Sequence, residues 1–135
     1  MVSAVPDELL EDLNEDQIRW LRIAPVAHLA TADASGAPNV IPVCYAFDGR
    51  HIYSVLDRKP KSVALTRLRR VRNIQENPRV SFVVDHYEDD WQRLGYLQVT
   101  GSAELLVEVD DRVEAVRLLR EKYPQYQAMD LDQSP

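Results

Sequence analysis

The chain has 135 residues, of which 45% are apolar and 28% charged, with a formal net charge of −6 at pH 7. That composition is ordinary for a soluble globular protein, predicts a single domain over residues 1–135, and argues against general nucleic-acid binding. The single cysteine excludes an intrachain disulfide framework, and no apolar run approaches membrane-spanning length. Acids stand among the first eleven residues where a secretory leader would carry bases, so a cytoplasmic protein without membrane association is expected.

Residues 1–24 read as a helical segment. Leu9, Leu10 and Leu13 lie at helical spacing, and Asn14-Glu-Asp-Gln17 resembles a capping box that restarts a helix carrying Ile18 and Leu21 until Pro25 stops it. From Val26 the period changes to two. Strands are expected at Val26–Ala32 and Asn39–Phe47, with a Ser-Gly turn between them. Asp48-Gly49 is a hairpin signal leading into a third strand, His51–Leu56.

Ser62–Asn77 reads as a helix with Val63, Leu65, Leu68, Val71 and Ile74 along one side. Pro60 suits its first turn and Asn77-Pro78 ends it. Strands follow at Arg79–Tyr87 and Leu94–Val107. In the second of these Leu97, Val99, Ala103, Leu105 and Val107 share a face, and Gly101 is expected to mark a bulge or bend. A final helix, residues 111–123, is expected to be capped by Asp111 with Glu114 and to turn Val113, Val116, Leu119 and Tyr123 inward. A polar tail completes the chain. Short antiparallel connections predict an α+β fold, a small, mostly antiparallel β-barrel with peripheral helices, and exclude a doubly wound parallel sheet.

The chemistry concentrates between the third strand and the fourth. Eight of the sixteen basic residues lie from Arg58 to Arg79 with only Glu76 against them, so this segment carries +7 and the remainder −13. Ser54, Arg58, Lys59 and Lys61 bring a hydroxyl, a guanidinium and two ammonium groups to a strand–helix junction. That is a setting for a phosphate, and so for a phosphorylated cofactor. Arg67, Arg69, Arg70 and Arg72 read as a solvated helix face. No aromatic residue lies between Tyr53 and Phe82, so the stacking platform that a single-stranded nucleic acid needs is missing there.

Pro42 cannot donate to a ladder, which places its strand at an edge or at a local break. Either it protects that edge, or its unpaired neighbours bond a flat ring. Cys44 reads as a small core residue. His86 stands among carboxylates in Asp85–Trp91, but the spacing matches no metal-site signature, so no metal is expected. Trp91 and Tyr87 there are suited to wall a pocket or a subunit interface. No nucleophile elbow or Cys–His pattern is present, and no catalytic residue is assigned. Trp20, Trp91 and the apolar sheet surfaces exceed what a small barrel buries alone, which predicts a homodimer.

Five stretches together resemble a known family. They are Val26-Ala-His-Leu-Ala-Thr-Ala-Asp33, Gly36-x-Pro38-x-Val-x-Pro-Val43, Lys59-Pro-Lys61, Arg72-Asn-Ile-x-x-Asn-Pro-Arg-Val80 and Asp85-His-Tyr-x-x-Asp-Trp91. They resemble the pyridoxamine 5'-phosphate oxidase-like flavin and deazaflavin oxidoreductases, and among these the F420-dependent subgroup. The resemblance implies an FMN-binding split barrel, homodimeric, with the cofactor in a groove between subunits. The phosphate would meet the positions matching Ser54, Arg58, Lys59 and Lys61. The ring would lie against Val40, Ile41, Pro42 and Val43, helped by Asn73, and the other subunit would contribute Asp85–Trp91, including Trp91.

The implied activity is hydride transfer between F420, or alternatively FMN, and a small organic substrate, with no side-chain acid or base required. The carboxylates of the longer F420 tail would suit Arg67 and Arg70. Gly95-Tyr96 departs from the bulkier aromatics of the pattern. The alternative reading is a non-catalytic module that stores or senses a flavin, a deazaflavin, haem or biliverdin.

Overall fold

The computed structural model describes residues 2–6, 13–54, 69–106 and 108–128. In chain order these form β1 (Val2–Pro6), α1 (Glu15–Ile23), β2 (Ala27–Ala32), β3 (Pro38–Val43), β4 (Tyr45–Phe47), β5 (Ile52–Ser54), α2 (Arg69–Glu76), β6 (Arg79–His86), β7 (Gly95–Leu105) and α3 (Val109–Lys122). Short 3-10 turns lie at Trp91–Arg93 and Pro124–Ala128.

All seven strands join one antiparallel sheet in the order β3-β2-β6-β7-β1-β5-β4. The two ends of that order are consecutive in the chain: β3 stops at Val43 and β4 starts at Tyr45. Two residues of chain span at most about 7 Å. The opposite edges of the sheet therefore meet at Cys44, and the sheet has to curl round on itself. This is the barrel with peripheral helices expected from the sequence, pinned at one corner by a single residue.

The strands alternate as a half-buried sheet should. Leu29, Phe82, Val84 and Ala103 face inward, and Leu97 and Val99 pack against the same interior. α1 begins with the predicted capping box: the Asn14 side chain accepts from the Gln17 amide and the Gln17 side chain accepts from the Asn14 amide. The helix then buries Leu21 against the β4–β5 hairpin. At the turn of that hairpin Gly49 has φ of +100°, a conformation that favours glycine. The Asp48 carboxylate accepts there from the amides of Arg50 and His51 and from the Tyr53 hydroxyl. Burial pushes the Asp48 pKa up, but these hydrogen bonds outweigh it and the net shift is downward.

Four expectations are corrected. Val2–Pro6 is a strand, not part of a helical segment, and it sits inside the sheet between β5 and β7. Five residues carry too little periodicity to declare this; the pairing partners lie some fifty and a hundred positions away. Asn39–Phe47 is two strands at opposite ends of the sheet, because the chain turns at Cys44. β7 pairs with β6 in unbroken register through Gly101, with no bulge. α3 starts at Val109 behind Glu108, which makes no side-chain cap, and Asp111 lies within its first turn. Val113 is exposed rather than inward, while Val116 and Leu119 are buried as expected. Helix 62–77 is seen from Arg69 to Glu76; its earlier part, and the end of strand 51–56 beyond Ser54, lie outside the described residues.

Candidate functional site

The corner at Cys44 brings the end of β3 and the last described residue of β5, Ser54, together. Val40, Ile41, Pro42 and Val43 run along β3, an edge strand of the sheet to which no described strand adds on its outer side. Ser54 ends β5, which is separated from β3 by four strands in the sheet order, yet its hydroxyl donates to the Cys44 carbonyl at 3.0 Å. The exit of β5 thus sits two residues beyond Pro42. From Val40 to Cys44 the strand covers about 13 Å, comparable with a planar ring and a tether leading to a phosphate. Ser54 is buried, and its proton is directed to Cys44 rather than outward. Arg58, Lys59 and Lys61 lie outside the described residues.

Along β3 exposure alternates. Val40 is 65% exposed and Pro42 lies open opposite His28, whereas Ile41 and Val43 turn toward the interior. The turn before β3 is built on Asp33, whose carboxylate accepts from the Ser35 and Ala37 amides, with Gly36 at φ +89°. α2 is fastened to this region by two bonds. Buried Asn73 donates from Nδ2 to the Thr31 hydroxyl at 3.0 Å, and Glu76 accepts from the Ala34 amide at 3.1 Å. Asn73 therefore orients the basic helix on β2, and Arg72 beside it is exposed. Thr31 escaped attention in the sequence. A polar residue at an inward position of an alternating strand needs a partner, and that was the available signal.

A second surface lies where β6 passes to β7. Tyr87, Trp91 and Tyr96 are each about 70% exposed and Leu94 is 40% exposed. His86 bonds Glu88 at 2.8 Å and Arg93 pairs with the same carboxylate at 3.1 Å, which stiffens the connection. Among the described residues no group of three His, Cys, Asp or Glu side chains is arranged to hold a metal. His28 is exposed on the outer face of β2, and His51 stacks on Tyr53. Gly95 lies against Trp20: a Cβ there would meet the indole at 3.4 Å.

The end of α3 closes the corner from behind. The Tyr123 hydroxyl accepts from the Tyr45 amide at 3.1 Å and lies within donating distance of the carbonyls of Tyr45 and Pro25. Lys122 Nζ is enclosed 3.7 Å from the centre of the Tyr45 ring and has no hydrogen-bond partner among the described residues. Burial pushes the Lys122 pKa down to about 8 and that of Tyr123 up to about 12. Tyr123 braces the bend where β4 begins. No helix among the described residues is long and apolar enough to cross a membrane.

The same architecture occurs in solved structures. A conserved hypothetical protein from Mycobacterium tuberculosis is 24% identical, with a TM-score of 0.65 over 82% of this chain; the chain spans 64% of its length. HutZ, the heme storage protein of Vibrio cholerae, is 20% identical with a TM-score of 0.68, over 88% of this chain and 81% of that one. An F420 reductase is 25% identical with a TM-score of 0.56, over 78% and 75%. No curated protein sequence matches the chain. The family model described as pyridoxamine 5'-phosphate oxidase matches residues 13–134, nearly the whole chain, and the protein therefore belongs to that family.

Proposed function

We propose that the protein is a flavin- or deazaflavin-dependent oxidoreductase, with F420 as the preferred cofactor and FMN the alternative, acting on a small organic substrate. One observation carries this reading. The Cys44 corner sets the exit of β5, where the basic run begins, beside the open edge of β3. A ring on that edge and a phosphate near the corner suit the span between them. The family match and the likeness to an F420 reductase support the same class.

When bound, the cofactor supplies the hydride chemistry. The chain's own part is to hold and orient. Backbone groups of Val40–Val43 would meet the ring edge, and Arg58, Lys59 and Lys61 would neutralise the phosphate. Asn73 keeps the arginine-bearing helix in place through Thr31. A reaction of this kind needs only face-to-face placement of two reactants, and the proposal assigns no side-chain acid or base. In this proposal two copies share the groove, and exposed Tyr87, Trp91 and Tyr96 wall it from the second copy.

Titrating the purified protein with F420, FMN and haem, followed by turnover of the reduced cofactor against unsaturated acceptors, tests the reading. Tight binding of F420 or FMN with accelerated oxidation is expected. Binding without turnover would leave a storage or sensing module, and binding of haem alone would replace the cofactor. Lys59→Ala and Lys61→Ala should each weaken binding by about 1–3 kcal/mol per lost charged hydrogen bond; unchanged affinity would remove the phosphate assignment.

A further inference from the structure

Three reactive side chains meet at the bend between β3 and β4. Cys44 occupies the bend itself and is partly exposed, so it is not the enclosed core residue expected from the sequence. The Tyr123 hydroxyl hydrogen-bonds the Cys44 thiol as well as the Tyr45 main chain. Lys122, the neighbour of Tyr123 at the end of α3, holds its Nζ out of solvent against the face of the Tyr45 ring, with no hydrogen-bond partner among the described residues. Cys44 acts on that amine electrostatically, a negative charge on the sulfur favouring its protonated form.

The frame around the thiol is fixed. The Cys44 carbonyl accepts from Ser54 at 3.0 Å, and the next amide, that of Tyr45, donates to Tyr123 at 3.1 Å. The Tyr45 ring on which Lys122 rests is anchored in turn by its hydroxyl to the Leu21 carbonyl. A buried amine without an acceptor carries a desolvation cost. Burial brings the Lys122 pKa down to about 8, so near neutral pH the amine both takes up and releases a proton readily. What distinguishes Cys44 from an inert thiol is this amine. A partly exposed thiol beside a group that can take its proton and return it is suited to attack a bond whose leaving atom needs that proton, and the O–O bond of a peroxide is such a bond.

We propose that Cys44 is a peroxide-reactive thiol, with Lys122 as its proton relay and Tyr123 as the donor that holds the sulfur in place. The sulfur attacks the outer oxygen of a hydroperoxide; an S–O bond forms and the O–O bond breaks. Lys122 Nζ takes the thiol proton and returns it to the departing oxygen. The products are a sulfenic acid at Cys44 and an alcohol, or water when the oxidant is hydrogen peroxide. Sulfur loses two electrons and the peroxide gains them. The sulfenic oxygen then supplies Lys122 with a hydrogen-bond partner. This site goes beyond the cofactor reading and does not rest on it.

The test treats the full chain with hydrogen peroxide and dimedone, which traps sulfenic acid, and follows the adduct on the Cys44 peptide by mass spectrometry against N-acetylcysteine under the same conditions. Wild type should react roughly tenfold faster or more, and Lys122→Met should lose most of that advantage. Iodoacetamide needs no proton on its leaving iodide, so it separates the chemistry from access to the thiol. Lys122→Met should slow the peroxide reaction roughly fivefold more than the alkylation. Wild type reacting no faster than the free thiol would overturn the proposal. Equal slowing of the two reactions in Lys122→Met would overturn it as well, by reducing Lys122 to a structural role. Should Lys122→Met not fold, Lys122→Arg, which keeps the charge but cannot release a proton, carries the same comparison. Neither result bears on cofactor binding, which is read separately by titration.

Discussion

β3 and β4 are the two ends of one sheet and are separated by one residue, yet they are treated oppositely. Every residue of β4 is buried, and α3 lies over it with Ala115, Val116 and Leu119 in a shared cluster with Ala46 and Tyr53. β3 alternates between half-buried and exposed positions and has nothing described along its outer edge. An exposed strand edge is a hazard that can be covered or blunted. This molecule does both, covering one end with a helix and blunting the other with prolines. The covered edge contributes stability; the blunted edge is one that no described strand extends.

That contrast can be broken most forcefully at the covered end. Leu119→Ala opens a cavity in the α3 cluster where Leu119 is fully buried, and denaturant unfolding should show a loss of about 2–5 kcal/mol; a loss below one would mean α3 is not holding β4. Tyr123→Phe comes next. It strips the partner from the Tyr45 amide, and about 1–3 kcal/mol should be lost by the same measurement.

A smaller effect concerns pH. Lys122 has a folded pKa of about 8 against an ordinary 10.5, so between those values the unfolded chain holds a proton that the folded chain has released, and stability rises with pH. The buried tyrosines, whose pKa values are raised, act in the opposite sense at higher pH. The difference in thermal midpoint between wild type and Lys122→Met should therefore climb across the window from about pH 8 to 10.5; a flat difference would show that Lys122 is solvated.

The smallest stability change is expected at the open edge. Pro42→Val should alter unfolding free energy by no more than about 0.5 kcal/mol, since Pro42 is an exposed residue outside the ladder bonds. It restores an outward amide, however, and light scattering should detect new self-association. An unchanged mass over a range of concentrations would weaken the case that the prolines guard this edge.

Much of this was legible locally. The Asn14 capping box, the Asp48-Gly49 turn, the alternation of β2, β6 and β7 and the inward face of α3 at Val116 and Leu119 are written in neighbouring residues. Pro42 announced an edge. What could not be read was how far-separated pieces meet. Val2–Pro6 has no pattern of its own and becomes a strand only between β5 and β7. Val113, apolar and at helical spacing, nonetheless lies at the surface in the first turns of α3, where no described element packs over it.

By itself, then, the sequence determined the element types, the antiparallel α+β barrel class and the place where positive charge gathers, because caps, turns and period-two runs act over a few residues. Only the tertiary structure decided that one apparent strand serves as both edges of the sheet, that the exit of β5 meets the end of β3, and that Lys122 and Tyr123 come to rest beside Cys44. Each of these depends on register and on long-range closure, which no local stretch of chain encodes alone.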